Sequence, residues 1–129
     1  MNPDLKPYPL PGKTTFAAAV RAGQFLYVSG LTPVDENRKL VGEDMAGQTR
    51  FIYRKLAAVL ERAGATLADV VETVDYVTTF DGYEKTADVR REVFGAGPYP
   101  AATGVMVAGL VRPGALIEIR AIAWLGDRP

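Results

Sequence analysis

Two charged residues lie inside an otherwise apolar segment near the end of the chain. Glu118 and Arg120 are two positions apart in the run Leu116 to Trp124, and side chains two apart share one face of a β-strand. A carboxylate can orient water or move a proton, and a guanidinium can bind an anion. The opposite face of this run is uniformly apolar and indicates core. We therefore expect the charged face to be covered by a neighbouring subunit or to line a ligand cleft.

A second unusual charge is Arg90, which falls within an apolar stripe at helical spacing. The stripe consists of Tyr83, Ala87, Arg90 and Phe94. Two interpretations are open. Arg90 reaches round the sheet edge into a cleft and binds a ligand, or its stem packs on the core while its guanidinium reaches water or pairs with Glu92 or Asp88.

The composition excludes several kinds of chemistry. The 129 residues contain no cysteine and no histidine, so disulfides, Cys/His zinc sites, thiol nucleophiles and imidazole-based triads are ruled out. Any catalysis must use carboxylates, hydroxyls, guanidiniums, lysines, backbone groups or water, and we expect no metal and no cofactor.

The charge balance and the length predict the partners, the location and the number of domains of the protein. Fifteen basic residues balance fifteen acidic ones, which argues against nucleic acid or an anionic membrane as a partner. No apolar signal segment or membrane-spanning run is present, so we predict a cytoplasmic protein with a single domain over residues 1–129.

The pattern along the chain predicts an α+β domain with element order ββαβαββ. Pro3 to Gly12 is expected to be an extended lead-in, Asp35 to Arg38 a turn, and Asp44 the cap of a helix that stops at Gly64. Asp81 with Glu84 predicts the start of a second helix that ends near Gly95. The predicted strands are Phe16 to Arg21, Gln24 to Gly30, Val70 to Thr79, Thr103 to Ala108 and Ala115 to Trp124.

Both helices are expected on one face of a mainly antiparallel sheet. The other face is too apolar to be left open in a soluble monomer. Oligomerisation with these faces meeting around an axis is the simplest way to cover it, and it would place clefts between subunits.

Several segments, in this order, resemble the Rid (YjgF/RidA) family. They are Phe16–Val20, Tyr27–Pro33, Val41–Asp44, Gln48–Arg50, Leu60–Gly64, Asp69–Val71 and Ile117–Ala123. The resemblance covers nearly the whole chain. It implies a chorismate-mutase-like fold, a homotrimer with three clefts between subunits and, in the best-known branch, hydrolysis of enamines and imines to ketoacids and ammonia.

The resemblance also shows where this chain departs from the family's cleft. Ala102 stands at the position of the arginine that clamps the substrate carboxylate, and Phe16 stands at that of a cleft tyrosine. Gly104 and Ala87 replace two further polar residues, which predicts a larger and less polar pocket. Glu118 matches the family's acid, and the turn Ser29-Gly30 is also retained.

The remaining candidate residues each have two interpretations. Ser29 offers a hydroxyl or only ends a strand before Gly30. Thr103 offers a hydroxyl beside the lost clamp or is an ordinary strand residue, and Tyr99 walls the cleft or packs. Arg120 binds ligand or forms an ion pair with Glu118 or Glu72 inside the trimer.

Glu118 either orients water or anchors the subunit interface. The predicted function is a divergent Rid hydrolase or deaminase that acts on a small imine, enamine or related unsaturated pathway intermediate, with weak or absent activity on 2-aminoacrylate. The alternative is a non-catalytic ligand-binding or protein-interaction trimer. Endoribonuclease activity is disfavoured by the neutral chain.

Overall fold

A computed structural model describes all 129 residues and contains six strands, two α-helices and one short 3₁₀ turn. A short strand precedes the predicted elements, and a 3₁₀ turn at Leu67–Asp69 leads into the fourth strand of the chain. The bounds are β1 Leu5–Tyr8, β2 Ala19–Ala22, β3 Phe25–Leu31, α1 Met45–Arg62, β4 Val70–Val77, α2 Lys85–Phe94, β5 Ala101–Met106 and β6 Ile117–Trp124.

The six strands form one sheet in the order β1-β2-β3-β6-β4-β5. Every pair is antiparallel except β4 with β5, which are parallel and joined by α2. The chain therefore has the predicted α+β architecture, with two helices packed on a mainly antiparallel sheet. None of its helices is long and apolar enough to cross a lipid bilayer.

Helix α1 supplies most of the core contacts of the helical layer. The carboxylate of Asp44 accepts a hydrogen bond from the backbone N–H of Gly47 at 2.8 Å, which confirms the predicted cap. The helix ends at Arg62, and Gly64 adopts a positive φ of 74° just beyond it. Its buried apolar side chains, including Ile52 and Leu56, pack on the alternate residues of β6 that face the helices.

Several predicted boundaries differ from the structure. The lead-in contains a strand, β1, whose Tyr8 is buried. Pro7 is tolerated there because β1 is an edge strand. Helix α2 begins at Lys85, and neither Asp81 nor Glu84 caps it through its side chain, so the predicted start signature was wrong.

The predicted first strand also shortens, because residues 16–18 lie before β2 and follow the edge of β3. The two closing strands are consecutive in the chain but are not neighbours, since β4 lies between them. Strand β5 begins earlier than predicted and includes Ala101 and Ala102.

The two faces of the sheet differ in what covers them. Ile117, Ile119, Ala121 and Ala123 of β6 are buried beneath the helices. No helix covers the other face, which carries exposed aromatic side chains: Phe25 is 38% exposed, Tyr27 48% and Trp124 46%. This helix-free face also carries Glu118 and Arg120, because they alternate with the buried residues of β6.

Candidate active site

Glu118 lies against the backbone of β3 at a β-bulge. Val28 pairs with Ala121 and Leu31 with Ile119, so Ser29 and Gly30 together oppose Arg120 alone. A Cβ added to Gly30 would lie 3.0 Å from Cδ of Glu118 and nearer still to its Oε2. The missing side chain of Gly30 therefore leaves the space that the carboxylate occupies.

The carboxylate of Glu118 has no ion pair and no side-chain hydrogen bond within the chain. It lines a cavity of about 330 Å³, which we call the Glu118 depression, together with Gly30, Tyr76, Arg120 and the segment around Leu110. A carboxylate with open lone pairs beside a cavity can accept a proton from water or position it.

Arg120 borders the same depression. Its Nε donates a hydrogen bond to the hydroxyl of Tyr76 at 3.1 Å. Within one chain it forms neither of the two expected ion pairs, with Glu118 or with Glu72, because Tyr76 lies opposite Glu118 on β4 and holds the guanidinium. Arg120 thus remains an exposed positive charge close to the acid.

Phe16 and Ser29 lie on the other side of Gly30. Phe16 is 59% exposed and lines a second cavity of about 380 Å³, in which Ser29 and Gly30 also take part. The hydroxyl of Ser29 donates to the backbone carbonyl of Ala17 at 2.6 Å. This bond fastens residues 16–18 to β3 and indicates a structural role for Ser29. The expectation that Ser29 ends a strand before Gly30 was wrong, because β3 continues to Leu31.

Arg90 has a partner that the sequence pattern did not suggest. Its guanidinium pairs with Asp75, which is 1% exposed in the middle of β4. Both predicted partners are used elsewhere: Glu92 binds Arg50 at 2.8 Å and Asp88 binds Arg91 at 2.9 Å. The expectation that Arg90 pairs with Glu92 or Asp88 was therefore wrong.

Tyr83 completes this buried group. Its hydroxyl donates to the same carboxylate oxygen of Asp75 at 2.8 Å. Burial raises the pKa of Asp75, while the charge of Arg90 and the hydrogen bonds from Tyr83 and Arg90 oppose the rise. Burial and the bond to Asp75 raise the pKa of Tyr83 to about 12. The group is a charge pair that neutralises itself, so Arg90 is only partly available to an anionic ligand.

The position of Tyr83 also explains why residue 104 is a glycine. A Cβ on Gly104 would collide with the hydroxyl of Tyr83, since Gly104 lies beside Asp75 in the parallel pair of β4 and β5. The space left by the glycine is filled by Tyr83 and does not enlarge the pocket. That part of the expectation from the sequence was wrong.

A third cavity, of about 200 Å³, lies between β5 and α2. Ala102 lines it with Ala87, Arg90 and Tyr99. The hydroxyl of Tyr99 donates to the carbonyl of Gly95 at 2.7 Å, and its ring packs edge-on against Phe94. Tyr99 therefore both packs and walls a cavity, so its two interpretations are compatible.

Within one chain the predicted site residues form two groups. Glu118, Arg120, Gly30, Ser29 and Phe16 lie around the bulge of β3. The other group lies at β5 and α2, where Arg90, Tyr99 and Ala102 line the same cavity. Thr103 is the next residue of β5 and does not face this cavity. It pairs with Val74 and faces the helix-free side of the sheet.

The sequence reasoning missed Asp75. Its signal was similar to that of Glu118, an acid inside a mostly apolar strand, although Val70–Val77 also carries a second acid, Glu72. A buried carboxylate requires a partner, so Asp75 and the arginine in the apolar stripe of α2 could have been matched from the sequence.

The fold and the position of these residues define a chorismate-mutase-like protein with an acid on its helix-free face. The family model described as Endoribonuclease L-PSP matches residues 10–125. The chain is 36% identical over 110 residues to a RutC family protein of Pyrococcus horikoshii, which covers 84% of this chain and 86% of the relative. It is also 36% identical over 122 residues to the 3-aminoacrylate deaminase RutC of Acinetobacter baylyi, covering 94% and 93% of the two chains.

Solved structures lead to the same family. A Rid-family protein of unknown function from Yersinia pestis superposes with a TM-score of 0.81 at 31% identity, covering 88% of this chain and 90% of that one. The chain therefore belongs to the Rid (YjgF/RidA) family.

Proposed function

We propose that this chain is a divergent Rid-family hydrolase or deaminase, which acts on a small imine, enamine or related unsaturated intermediate in a cleft between subunits of a homotrimer. The observation that carries the proposal is the carboxylate of Glu118, which lies unpaired against Gly30 beside a cavity. The name of the Acinetobacter relative, a 3-aminoacrylate deaminase, supports a substrate with a nitrogen on an unsaturated carbon.

The reaction requires little more than water and a proton carrier. As water adds to the carbon of a protonated C=N bond, Glu118 accepts one of the water protons and a neutral carbinolamine forms. Glu118 then passes that proton to the nitrogen. As the C–N bond breaks, the hydroxyl proton of the carbinolamine returns to Glu118, and a carbonyl compound and ammonia are released. An enamine enters the same sequence after its carbon is protonated to give the imine.

Trimer formation is supported by the helix-free face of the sheet. Phe25, Tyr27 and Trp124 are exposed there on adjacent strands, and an apolar surface of this kind is typical of a subunit interface. Association through this face would enclose the Glu118 depression. We also assign the protein to the cytoplasm as part of this proposal.

The substrate's anionic group is not expected to bind as in the archetypal branch. Ala102 provides no guanidinium, and Arg90 is already paired with Asp75. Losing one partner of a desolvated charge pair costs about 2 to 5 kcal/mol. Activity on 2-aminoacrylate should therefore be much weaker than that of an enzyme with the arginine.

The test is ammonia release from a panel of freshly generated imines and enamines, which includes 2-aminoacrylate and 3-aminoacrylate. We expect turnover above the uncatalysed rate on at least one member, and a slower rate on 2-aminoacrylate than an archetypal family member gives. Equal rates on 2-aminoacrylate would contradict the account of the missing clamp.

The second candidate is a trimer that binds ligand without turnover. One observation favours it. The hydroxyl of Ser29, a candidate polar group near Glu118, donates to the backbone carbonyl of Ala17, and this hydrogen bond gives Ser29 a structural role in place of a catalytic one. Binding of panel members without ammonia release from any of them would support this candidate and would contradict the proposed enzyme.

A further inference from the structure

Basic side chains surround Phe16 in a way that neither the fold nor the reaction requires. The cavity of about 380 Å³ beside Phe16 adjoins a second cavity of about 390 Å³, and Leu10, Phe16 and Arg112 line both. No aspartate or glutamate lines either cavity. We call this surface the basic groove, and its charged residues are Lys13, Arg38, Lys55, Arg62 and Arg112.

The concentration of charge does not follow from the composition. The chain carries equal numbers of basic and acidic residues, 15 of each, yet the groove has five charges of one sign. Like charges placed together repel each other, and a bound anion relieves that repulsion. The arrangement is therefore typical of an anion-binding surface.

Lys55 is the most constrained of the five. It is half-buried on α1, and its Nζ donates to the carbonyl oxygens of Thr32 and Val34 at 2.7 and 2.9 Å. An ammonium has three N–H donors, so one remains after these two bonds. Burial and the charge of Arg112 lower the pKa of Lys55, and Asp35 opposes that change.

Asp35 forms no ion pair with any basic residue of the groove. Its Oδ1 accepts hydrogen bonds from the backbone N–H groups of Asn37 and Lys39 at 2.8 and 3.0 Å, within its own turn. The same turn holds Arg38 at a positive φ of 63°, a conformation that glycine adopts more readily. Such backbone conformations are concentrated at binding sites, and here the turn presents Arg38 to the groove.

The other two guanidiniums differ in how firmly they are held. Arg62 donates to the carbonyl of Pro9 at 2.9 Å and lies 5.8 Å from the ring centre of Tyr8. Arg112, which is shared by both cavities, is exposed and has no ion pair or side-chain hydrogen bond within the chain. It is free to turn towards a ligand in either cavity.

We propose that the basic groove binds a small organic dianion with an apolar or aromatic body. The body packs on Phe16 and Leu10, one anionic group binds Lys55 and Arg112, and the other extends towards Lys13 and Arg38. Two adjoining cavities that share Arg112 fit two charges on one molecule. Binding here is separate from catalysis by Glu118, although Gly30 lines both the basic groove and the Glu118 depression.

Titration calorimetry with three aromatic probes tests this assignment: phthalate with two carboxylates, benzoate with one, and benzyl alcohol with none. We expect affinity to fall in that order and to weaken as salt is added, because exposed charge pairs are screened. Arg112→Gln should weaken phthalate binding about tenfold, as expected for the loss of a charge-assisted bond. Lys55→Met should do the same, and Arg112→Glu, an exposed change that does not threaten folding, should abolish binding.

Two matched variants make the outcome specific. Arg50→Gln removes a basic residue of α1 that is paired with Glu92 away from the groove, and Glu118→Gln removes the proposed catalytic acid. Both should bind phthalate as the unchanged protein does, even if no ammonia release is found.

Equal affinity for benzyl alcohol and phthalate would overturn the proposal. An equal loss of affinity in Arg50→Gln and Arg112→Gln would also overturn it, because binding would then depend on net charge alone. A short oligoribonucleotide that binds through Arg112 while phthalate does not would assign the groove to nucleic acid and overturn it as well.

Discussion

Replacing Arg90 by leucine tests the buried charge pair with Asp75. The substitution leaves a carboxylate that is 1% exposed with Tyr83 as its only hydrogen-bond partner. Removing one partner of a buried ion pair costs about 3 to 5 kcal/mol. Because the Arg90 side chain is itself 23% exposed, we expect a loss near the lower limit, about 3 kcal/mol in the free energy of unfolding.

The pH dependence of this loss follows from the pKa of Asp75. Burial already raises that pKa above its ordinary value of 3.8, and Arg90 works against the rise. Without Arg90 the folded-state pKa rises further. A carboxyl group whose pKa is higher in the folded state destabilises the protein while it is ionised, and the lost stability returns as the pH falls through the folded pKa. The penalty of Arg90→Leu should therefore shrink on acidification, by up to about 1.4 kcal/mol per pH unit.

Urea unfolding followed by the fluorescence of Trp124, the single tryptophan, measures both effects at matched protein concentration. Arg50→Leu is the control, because it breaks the exposed pair with Glu92 and should have a much smaller effect. Changing Asp75 to valine together with Arg90→Leu should recover most of the stability, since no buried charge remains. A penalty for Arg90→Leu that is no larger than the control's, or that is the same at pH 8 and pH 5, would refute the reasoning.

Three further substitutions test the site and the assembly. Gly30→Ala should displace the carboxylate of Glu118 and slow ammonia release about 100-fold, because misplacing a catalytic group by about 1 Å has an effect of that size. An unchanged rate in a folded variant would argue against this geometry. Gly104→Ala should push the hydroxyl of Tyr83 away from its carboxylate partner and cost about 1.5 to 3 kcal/mol in urea unfolding, whereas a loss below about 0.5 kcal/mol would show that the contact matters little. Trp124→Glu places a charge on the helix-free face and should lower the mass found by light scattering, and a mass equal to that of the unchanged protein would exclude this part of the face from the interface.

Much of the fold was predictable because local signals and packing agree. The apolar stripe of α1 and its cap at Asp44 predict the helix that forms. The strict alternation in β6 predicts which residues are buried and which lie beside Glu118. In both elements the residue types that favour the local structure are also those that the core requires.

The parts that differed depend on contacts distant in sequence. Strand β1 contains Lys6 and Pro7 and has little strand character of its own, but it pairs with β2 and buries Tyr8. The start of α2 has a capping pattern at Asp81 and Glu84 that the backbone does not use.

The sequence identified individual residues of the candidate site, but it did not identify the residues with which they form contacts. Glu118 and Arg90 were singled out as charges in apolar patterns, but Asp75 as the partner of Arg90 requires β4 and α2 to be brought together. Likewise the charged residues of the basic groove come from four separate parts of the chain around Phe16, and no local pattern indicates that they meet.

The central claim is that Glu118 acts on water beside Gly30, and the Glu118→Gln variant tests it most directly. The measurement is the rate of ammonia release from the best substrate of the panel, with ligand affinity determined on the same protein. We predict that kcat falls about 10²- to 10⁴-fold, the usual contribution of a general base, while affinity stays close to that of the unchanged protein. A variant that releases ammonia at the unchanged rate would contradict the account.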